Sequence, residues 1–502
     1  MRRVEMAIPK VCGVETEYGI SMVGVPDANP INTSSMLINA FVNELSGKVG
    51  WDFIDEAPGR DARGFAVDGS LPPEVETNLV NTVLTNGARY YVDHAHPEYS
   101  SPECLTPSEA VLYDKAGEVV LRRSMAAARR LLPAGQEIVV YKNNSDRKGN
   151  SYGCHENYLM DRQVPFQKIV KQVTPFFVTR QLFAGSGKIG SEFPNQKVGE
   201  VHYQLSQRAD FFEEEVGLET TLKRPIVNTR DEPHADATRF RRLHVILGDA
   251  NMSQYSTFLK VGTTAMVLAM IEDGFLDDAD LAVVSPVEAL RRVSWDVSMS
   301  LPLTRVSGGT ITPLDLQWEY ASRAKKYLVS RGGDAVGGQE EAESIVSNWE
   351  STLEALETDP MSLADRLDWV AKLQLLIGYR DRHQIAWDDP RLAAIDLQYH
   401  DIRPERSVFE RLAIRTIFND EQVQEAVTEP PHGTRAYFRG KCLEKFPQNI
   451  AAANWDSLIF DLGRDPLRRV PMMDPLRGTA QHVDKLLSSS KSAQELLDAL
   501  GT

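Results

Sequence analysis

Apolar and polar residues alternate in several short stretches of the chain, and this alternation predicts β-strands. The predicted strands cover residues 11–20, 89–93, 138–142, 151–158, 239–246 and 456–461. Apolar residues at helical spacing predict helices over about 35–45, 106–132, 258–271, 312–332, 340–357, 363–382 and 492–500. Repeated βα units, which a (β/α)8 barrel requires, do not occur in this order.

The predicted strand over residues 89–93 has polar and charged side chains on one face. Arg89, Tyr91 and Asp93 share that face because side chains alternate along a strand. Buried charges are costly unless they are paired or bound to a metal, so this face is a poor core. Pro97 is predicted to end the strand, and Glu98 adds a second carboxylate. The segment predicts the rim of a polar pocket. An Asp93–Arg89 ion pair on a solvated sheet face explains the same pattern.

Other strands also place polar side chains together. Glu15 and Glu17 share a face and repel each other unless a cation such as Mg²⁺ lies between them. Two exposed glutamates are the simpler interpretation. His155 and Asn157 share another face, either to contact a metal or phosphate or as a hydrogen-bonded pair.

Arginines are frequent between residues 208 and 242, in a segment of the chain that also holds His244. Arg242 and His244 share a face of the predicted strand 239–246. The guanidinium fork suits phosphate oxygens, but a run of arginines is equally typical of a solvated face.

The sequence also predicts one long loop and one domain boundary. Residues 46–86 are rich in glycine, proline and charged residues, which predicts a long mobile loop. Residues 429–433 are the best candidate boundary between a domain over 1–430 and a small C-terminal domain over 431–502.

Two helices are predicted to begin with capping boxes. These are Thr106-Pro107-Ser108-Glu109 and Ser285-Pro286-Val287-Glu288.

Composition narrows the class of protein. The chain has 502 residues and a formal net charge of −16, which argues against nonspecific nucleic-acid binding and against anionic membrane surfaces. Four scattered cysteines suggest neither a zinc knuckle nor a disulfide framework. No apolar run follows Arg2 and Arg3, and the apolar stretch 258–271 is too short and too polar to span a bilayer. A cytoplasmic protein is expected.

Several motifs together resemble one family, the Pup ligases and Pup deamidases of actinobacteria. They are VETEYG at 14–19, RYYVD at 89–93, HPEY at 96–99, SYGCHENY at 151–158, GDANMS at 248–253, RLDWVAK at 366–372 and NWDS at 454–457. The family is related to glutamine synthetase and glutamate–cysteine ligase. That relationship implies an α+β fold, in which helices flank a curved antiparallel sheet that forms a cradle, with a small C-terminal domain. It also implies ATP and Mg²⁺ on the concave face of the sheet.

The resemblance also implies a function. The ligases of the family join the C-terminal glutamate of Pup, a small acidic protein, to a lysine of a target. The deamidase/depupylase branch converts the C-terminal glutamine of Pup to glutamate and cleaves Pup from lysines, with ATP (or ADP plus phosphate) bound but not consumed. The long insertion at 46–86 favours this branch, and Pup ligation is the alternative. The expected partners are Pup and pupylated proteins, with a link to the bacterial proteasome.

Site roles follow from the same resemblance. It implies metal binding by Glu15, Tyr91, Glu98, Glu17 and His155, nucleotide contacts by Arg89, Ser101 and Trp455, and phosphate or substrate contacts by Arg208, Arg230 and His244. Asp93 matches the catalytic aspartate, which either attacks the carbonyl or acts as general base on water.

Two other functions remain open from the residues alone. His94, His96 and Glu98 could form a zinc hydrolase site, although the barrel that usually carries such ligands is not predicted. A scaffold that only holds Pup would need none of the candidate catalytic carboxylates.

Overall fold

The computed structural model describes residues 7–45, 47–54, 56–67, 80–194, 200–463 and 466–501. The strands are β1 Cys12–Glu17, β2 Gly19–Val23, β3 Gly50–Trp51, β4 Asn81–Val83, β5 Arg89–Asp93, β6 His96–Ser100, β7 Glu137–Tyr141, β8 Cys154–Asp161, β9 Lys188–Ile189, β10 Tyr203–Gln204, β11 Phe212–Gly217, β12 Arg224–Asn228, β13 Phe240–Val245, β14 Leu303–Thr304, β15 Thr310–Ile311, β16 Ile450–Ala453, β17 Ser457–Phe460 and β18 Arg468–Pro471. The α-helices are α1 Pro30–Val42, α2 Pro107–Arg129, α3 Phe166–Thr179, α4 Gln181–Ala184, α5 Gln254–Glu272, α6 Pro286–Trp295, α7 Pro313–Arg331, α8 Gln339–Thr358, α9 Asp368–His383, α10 Pro390–Tyr399, α11 Asp420–Glu425, α12 Ala436–Lys445, α13 Ala480–Ser489 and α14 Ala493–Leu500.

A ten-stranded sheet organises the molecule. Its strand order is β13-β8-β1-β6-β5-β4-β3-β16-β17-β18. Every neighbouring pair is antiparallel except β3 and β16, which are parallel. This large sheet flanked by helices confirms the predicted α+β class, and the predicted strands near 12, 89, 137, 154 and 240 are all present.

Helices cover one face of this sheet and leave the other for the site. Tyr90 on the covered face donates to Ser124 of α2 at 3.1 Å, and Thr16 donates to Asp114 of α2 at 3.3 Å. Helix α5 is buried over residues 254–271, as a core helix was predicted to be. Within the described ranges, no helix is both long and apolar enough to cross a membrane.

The predicted loop over 46–86 is wrong at both of its ends. Strand β3 pairs with β4 on one side and with β16 on the other, so both strands belong to the main sheet. They are two and three residues long, too short for alternation to be recognised in a sequence. Residues 46, 55 and 68–79, which the loop prediction includes, lie outside the described residues.

Two local predictions are also corrected. Pro97 lies inside β6 opposite Val92, because the chain has already reversed at residues 94–95. Its carbonyl oxygen accepts a hydrogen bond from the amide of Tyr18 at 3.0 Å. Ser285 precedes α6 with a φ of 49° and makes no side-chain capping bond, so it forms no capping box. The capping box at Thr106 and Glu109 is confirmed.

The C-terminal segment has an apolar cluster of its own. Helices α12 to α14 and strands β16 to β18 pack around buried Leu458, Phe460 and Leu496. Val49, Trp51 and Val83 join this cluster from the segment before β5. The segment therefore shares both its sheet and its core with the first part of the chain, and the division near residue 430 stays a prediction.

An ion-pair cluster fastens α12 and its first flanking residue to the segment that follows β6. Glu103 accepts hydrogen bonds from Arg435 at 2.7 Å and from Arg439. Burial alone would raise the pKa of Glu103, but the charges of Arg439 and Arg435 lower it to about 2 from 4.5. A depressed carboxyl pKa stabilises the folded state above pH 4.5, and that stability is lost as the pH falls towards 2.

Replacing Glu103 by glutamine is therefore expected to lower the free energy of unfolding at pH 7 by about 3 kcal/mol. The difference from the wild-type protein should shrink as the pH falls from 5 towards 3, because the carboxylate of the unfolded wild-type chain then takes up a proton while the folded protein keeps it ionised. Urea unfolding at several pH values measures it. A difference that is the same at pH 7 and pH 3 would contradict this reading of the ion pair.

Candidate functional site

Two rows of polar side chains cross the open face of the sheet. Cross-strand partners share a face, and the register places Arg89, Ser100, Glu15 and His155 in one row. The adjacent row contains Tyr91, Glu98 and Glu17. The predicted clustering of these residues is thus a direct result of strand pairing, since four neighbouring strands each contribute side chains at two-residue spacing.

A cavity of about 330 Å³ lies over these rows. Its lining includes the sequence-predicted residues Glu15, Arg89, Tyr91, Asp93, Glu98, His155, Arg230, His244 and Trp455. The guanidinium of Arg89 lies between two aromatic rings, 4.0 Å from the ring centre of Trp51 and 3.9 Å from that of Tyr91. Stacking on both sides fixes the direction of this cation within the cavity.

One candidate metal group lies at the β1, β8 and β13 side of the cavity. Glu15, His155 and His244 each offer a ligand atom, and these atoms lie within 4.8 Å of one another. Glu15 also accepts from Asn157 Nδ2 at 2.7 Å. Burial alone would raise the pKa of Glu15, but the hydrogen bond with His155 and the charge of Arg242 hold it well below its usual range. Glu15 is therefore ionised.

His244 is oriented as a metal ligand would be. Its Nδ1 lies 3.1 Å from the side-chain oxygen of Asn157, which only accepts hydrogen bonds, and 3.3 Å from Nη1 of Arg242, which only donates them. The shorter contact favours the tautomer with the proton on Nδ1. Nε2 then presents a lone pair, and in the described part of the chain this buried atom has no hydrogen-bond partner. Burial, with Arg242 adding to it, lowers the pKa of His244 well below its usual range, so the ring is neutral.

A second group of carboxylates lies on β1, β5 and β6. Oxygen atoms of Glu17, Asp93 and Glu98 lie within 4.8 Å of one another. Burial raises the pKa of Glu98 well above its usual range, and the negative charges of Asp93, Glu17 and Glu15 add to the shift. Carboxylates packed this closely need a cation to be ionised together.

Asp93 lies at the mouth of the cavity, where β5 ends. Its side chain is 28% exposed, and its Oδ2 lies 3.0 Å from Nδ1 of His94. Burial would raise the pKa of Asp93, but the hydrogen bond and charge of His94 lower it below its usual range. An ionised carboxylate at the mouth can attack an electrophile or accept a proton from water.

Gly153 allows the chain to pass close behind the two candidate metal groups. A Cβ atom at this position would lie 2.3 Å from Nε2 of His155 and 2.7 Å from Oε1 of Glu17. The carbonyl of Gly153 also accepts from the amide of Glu17 at 3.1 Å. Any side chain here would push both candidate ligands apart, which explains the glycine in the SYGCHENY motif.

A smaller cavity of about 80 Å³ adjoins the first and shares Glu15, Ser100, His234, Arg242 and Trp455 with it. Ser101 lines only this second cavity. Its hydroxyl accepts from the amide of Val14 at 2.9 Å and donates to the carbonyl of Pro102 at 3.1 Å.

The arginines predicted to contact phosphate lie in different places. Arg230 lines the larger cavity, and its buried Nε has no hydrogen-bond partner within the described ranges. Arg208 is buried outside the cavity lining, and its guanidinium donates to the backbone carbonyls of Ile246 and Gly248. Burial lowers the pKa of Arg208 to about 10, with the charge of Arg224 adding to the shift. A phosphate contact by Arg208 stays a prediction.

Several lining residues were not assigned from the sequence. Trp51 donates to Glu56 at 2.7 Å, and Glu56 lies 4.0 Å from Arg89. Both precede β5 in the segment interpreted as a loop, so no pattern marked them. Glu232 accepts from the amide of Ala57 at 2.5 Å and therefore holds that segment against the cavity. Contacts such as these join residues that are distant in sequence, so no local pattern predicts them.

The donor atoms fit Mg²⁺. Glu15, Glu17 and Glu98 supply the carboxylate oxygens that this ion prefers, and His155 and His244 flank them with nitrogen. Burial and the neighbouring negative charges raise the pKa of Glu98, and a bound cation would relieve this crowding of charge. Tyr91 is a weaker candidate ligand, because burial raises the pKa of its phenol well above its usual range and keeps it protonated.

Comparisons with known proteins agree with one another. A family model described as Pup-ligase protein matches residues 10–459. A depupylase from Acidothermus cellulolyticus is 53% identical over 506 residues, which cover 98% of this chain and 99% of the relative. A Pup deamidase/depupylase from Mycolicibacterium smegmatis is 48% identical with the same coverage, 98% and 99%.

Solved structures lead to the same family. The complex between Pup and its ligase PafA matches with a TM-score of 0.81 at 32% identity, covering 99% of this chain and 96% of that chain. PafA in complex with ADP matches with a TM-score of 0.74 at 36% identity, covering 88% and 96%. The chain therefore belongs to the Pup-ligase protein family, which includes Pup ligases and Pup deamidase/depupylases.

Proposed function

We propose that this protein is a Pup deamidase/depupylase. It hydrolyses the side-chain amide of a C-terminal glutamine of Pup, and it hydrolyses the isopeptide bond between Pup and a lysine. The observation that carries the proposal is the placement of an ionised Asp93 at the cavity mouth, within 4.8 Å of Glu17 and Glu98. Both reactions break a bond between a glutamyl carbonyl and nitrogen, so one site serves both.

Identity favours the hydrolytic branch over the ligase branch. The depupylase from Acidothermus cellulolyticus is 53% identical over 98% of this chain, whereas a Pup–protein ligase from Nakamurella multipartita is 41% identical over 82% of this chain. Buried free thiols at all four cysteines are typical of a reducing compartment and support a cytoplasmic location.

A nucleotide in the two adjoining cavities is part of this proposal. The ADP complex of PafA supports it. The smaller, more apolar cavity suits a base, and the larger one, with Arg89, Arg230 and Arg242, suits phosphates. Trp455 lines both cavities and packs edge-on against Trp51 with ring centres 5.3 Å apart. It therefore lies at the junction of the proposed base and phosphate sites.

Replacing Trp455 by alanine is expected to weaken ATP binding by about 10- to 100-fold, the usual cost of losing an aromatic contact to a base. Trp455→Phe should retain most of the affinity. Trp387, which stacks on His202 away from the cavity, provides the matched control, and Trp387→Ala should bind ATP as the wild type does. Calorimetric titration with ATP measures all three, and equal affinity in Trp455→Ala would contradict this placement.

Mg²⁺ belongs to the proposed site as well. Glu15, Glu17, Glu98, His155 and His244 would hold it. When bound, it would neutralise the carboxylates and polarise a phosphate or carbonyl oxygen.

The side chains of the protein perform the remaining steps. The carboxylate of Asp93, whose Oδ2 is held by Nδ1 of His94, either attacks the glutamyl carbonyl or removes a proton from the attacking water. Arg89 is fixed between Trp51 and Tyr91 and orients the bound phosphates. Amide hydrolysis is downhill, so no ATP needs to be consumed.

A side-by-side assay separates hydrolysis from ligation. A Pup–lysine conjugate is incubated with the protein, Mg²⁺ and ATP, and in parallel Pup ending in glutamate is incubated with a free target protein. We expect gel analysis to show release of Pup from the conjugate and no new conjugate in the second reaction. Conjugate formation without release would identify a ligase.

A further inference from the structure

Amide hydrolysis needs a proton donor as well as a nucleophile. The carbon–nitrogen bond breaks readily only when the departing nitrogen gains a proton. Glu17, Glu98 and His155 face the interior of the candidate metal groups, where His155 is held 3.4 Å from Glu15 and 3.9 Å from Glu17. The proposed function therefore leaves the source of this proton open.

His94 is a histidine at the cavity mouth that directly contacts the catalytic carboxylate. Its Nδ1 lies 3.0 Å from Oδ2 of Asp93, and it lines the larger cavity. Its side chain is 55% exposed, about twice the 28% of Asp93. In depupylation the departing lysine belongs to another protein, which has to stay outside the cavity. The nitrogen therefore leaves through the mouth, where His94 lies.

The backbone at His94 adds a second observation. Asp93 pairs with His96, so His94 and Ala95 form a two-residue hairpin turn. His94 adopts a left-handed conformation with a φ of 50°. Glycine satisfies such a turn with less strain than any other residue. The turn therefore does not by itself require histidine, and strained residues of this kind cluster at functional sites.

We propose that His94 is a catalytic residue that delivers the proton to the departing nitrogen. This inference rests on the proposed amide and isopeptide hydrolysis. The imidazole acts from its place beside Asp93 at the mouth, so nucleophile and proton donor are consecutive residues on one turn.

The proton balance is complete in the route by direct attack. The Asp93 carboxylate forms a bond to the glutamyl carbonyl carbon, the carbon–nitrogen bond breaks, and the imidazolium of His94 gives its proton to the nitrogen. This leaves an anhydride on Asp93, a neutral imidazole and the free amine or ammonia. Water then attacks the anhydride, and the departing Asp93 carboxylate takes the proton of that water and passes it to the imidazole of His94, which restores the carboxylate and the imidazolium. No oxidant, reductant or further reactant is needed.

The same role holds if Asp93 activates water instead. Water attacks the carbonyl as Asp93 accepts its proton, and collapse of the tetrahedral intermediate again expels a nitrogen. His94 gives this nitrogen its proton and is then reprotonated by the proton that Asp93 accepted. Both routes therefore make the requirement for His94 depend on the basicity of the leaving group.

The role of His94 is tested by comparing a leaving group that needs a proton with one that does not. Two Pup substrates share the same γ-glutamyl acyl group, one ending in glutamine and one carrying a γ-thioester, whose thiolate leaves without a proton. His94→Asn keeps a hydrogen-bond donor for Asp93 and tolerates positive φ. We expect kcat for the glutamine substrate to fall by about 10²- to 10⁴-fold and kcat for the thioester to stay at the wild-type value, with KM unchanged for both.

His94→Gly, which also accepts positive φ, serves as a second variant, and unchanged ATP affinity verifies that each variant is folded. An equal loss for both substrates would overturn the proposal, because it would mean that His94 only orients Asp93. No loss for either substrate would overturn it as well. If the wild-type protein hydrolyses neither substrate, the proposed function itself fails, and that outcome is separate from the behaviour of His94.

Discussion

Asp93→Asn is expected to lower the hydrolysis of Pup ending in glutamine by about 10⁴-fold or more, the loss typical of removing a catalytic nucleophile or base. The amide of asparagine has nearly the same shape as the carboxylate but neither attacks a carbonyl nor accepts a proton from water. ATP binding should persist, because the predicted nucleotide contacts come from Arg89, Arg230 and Trp455. Mass spectrometry of Pup measures turnover, and calorimetry measures ATP affinity.

Asp277→Asn is the matched control for this substitution. Asp277 lies near the surface, where it pairs with Lys168 at 2.9 Å and accepts from Gln172 at 3.0 Å. The control should hydrolyse Pup at the wild-type rate. Appreciable turnover by Asp93→Asn would contradict the catalytic assignment. Loss of ATP binding together with turnover would instead mean that Asp93 supports the nucleotide site.

Glu15→Gln is expected to produce the second large effect. Glu15 lies between Asn157, at 2.7 Å, and His155, at 3.4 Å, and Arg242 lies 3.7 Å away. Glutamine keeps the size of the side chain but removes the negative charge that would hold Mg²⁺. ATP affinity in the presence of Mg²⁺ should fall by at least about 100-fold, given that even indirect metal contacts are worth 10- to 100-fold, and turnover should fall with it.

The measurement is a calorimetric titration with ATP in Mg²⁺ and in EDTA. Glu350→Gln is the control, because Glu350 pairs with Lys325 on the surface at 3.0 Å, away from the cavity. We expect the affinity of Glu15→Gln to approach the wild-type affinity when Mg²⁺ is removed from both proteins. An equal deficit in Mg²⁺ and in EDTA would show that Glu15 orders the site but does not hold the metal.

The sequence predicted those parts of the site that depend on local periodicity. Alternation alone placed Arg89, Tyr91 and Asp93 on one face of β5, and Glu15 with Glu17 on one face of β1. The match of VETEYG, RYYVD and SYGCHENY to one family then gave the family itself, which the comparisons confirm. These elements are recognisable because each lies within one strand, where side-chain direction follows from spacing.

The remaining parts depend on contacts that no local pattern encodes. Trp51 and Glu56 reach Arg89 only because β3 pairs with β4 and β16, which are distant in sequence. The orientation of His244 as a candidate metal ligand depends on Asn157 of a neighbouring strand, so strand order had to be known. The prediction for the segment before β5 was wrong at its ends for the same reason.

The proposed enzyme hydrolyses the C-terminal amide of Pup while a nucleotide is bound but not consumed. The most direct test is the intact mass of Pup ending in glutamine after incubation with this protein, Mg²⁺ and either ATP, a non-hydrolysable ATP analogue or no nucleotide. We expect the mass change for conversion of glutamine to glutamate with ATP and with the analogue, and none without nucleotide. An unchanged mass in all three reactions, with conjugates formed from Pup ending in glutamate, would contradict the claim and identify a ligase.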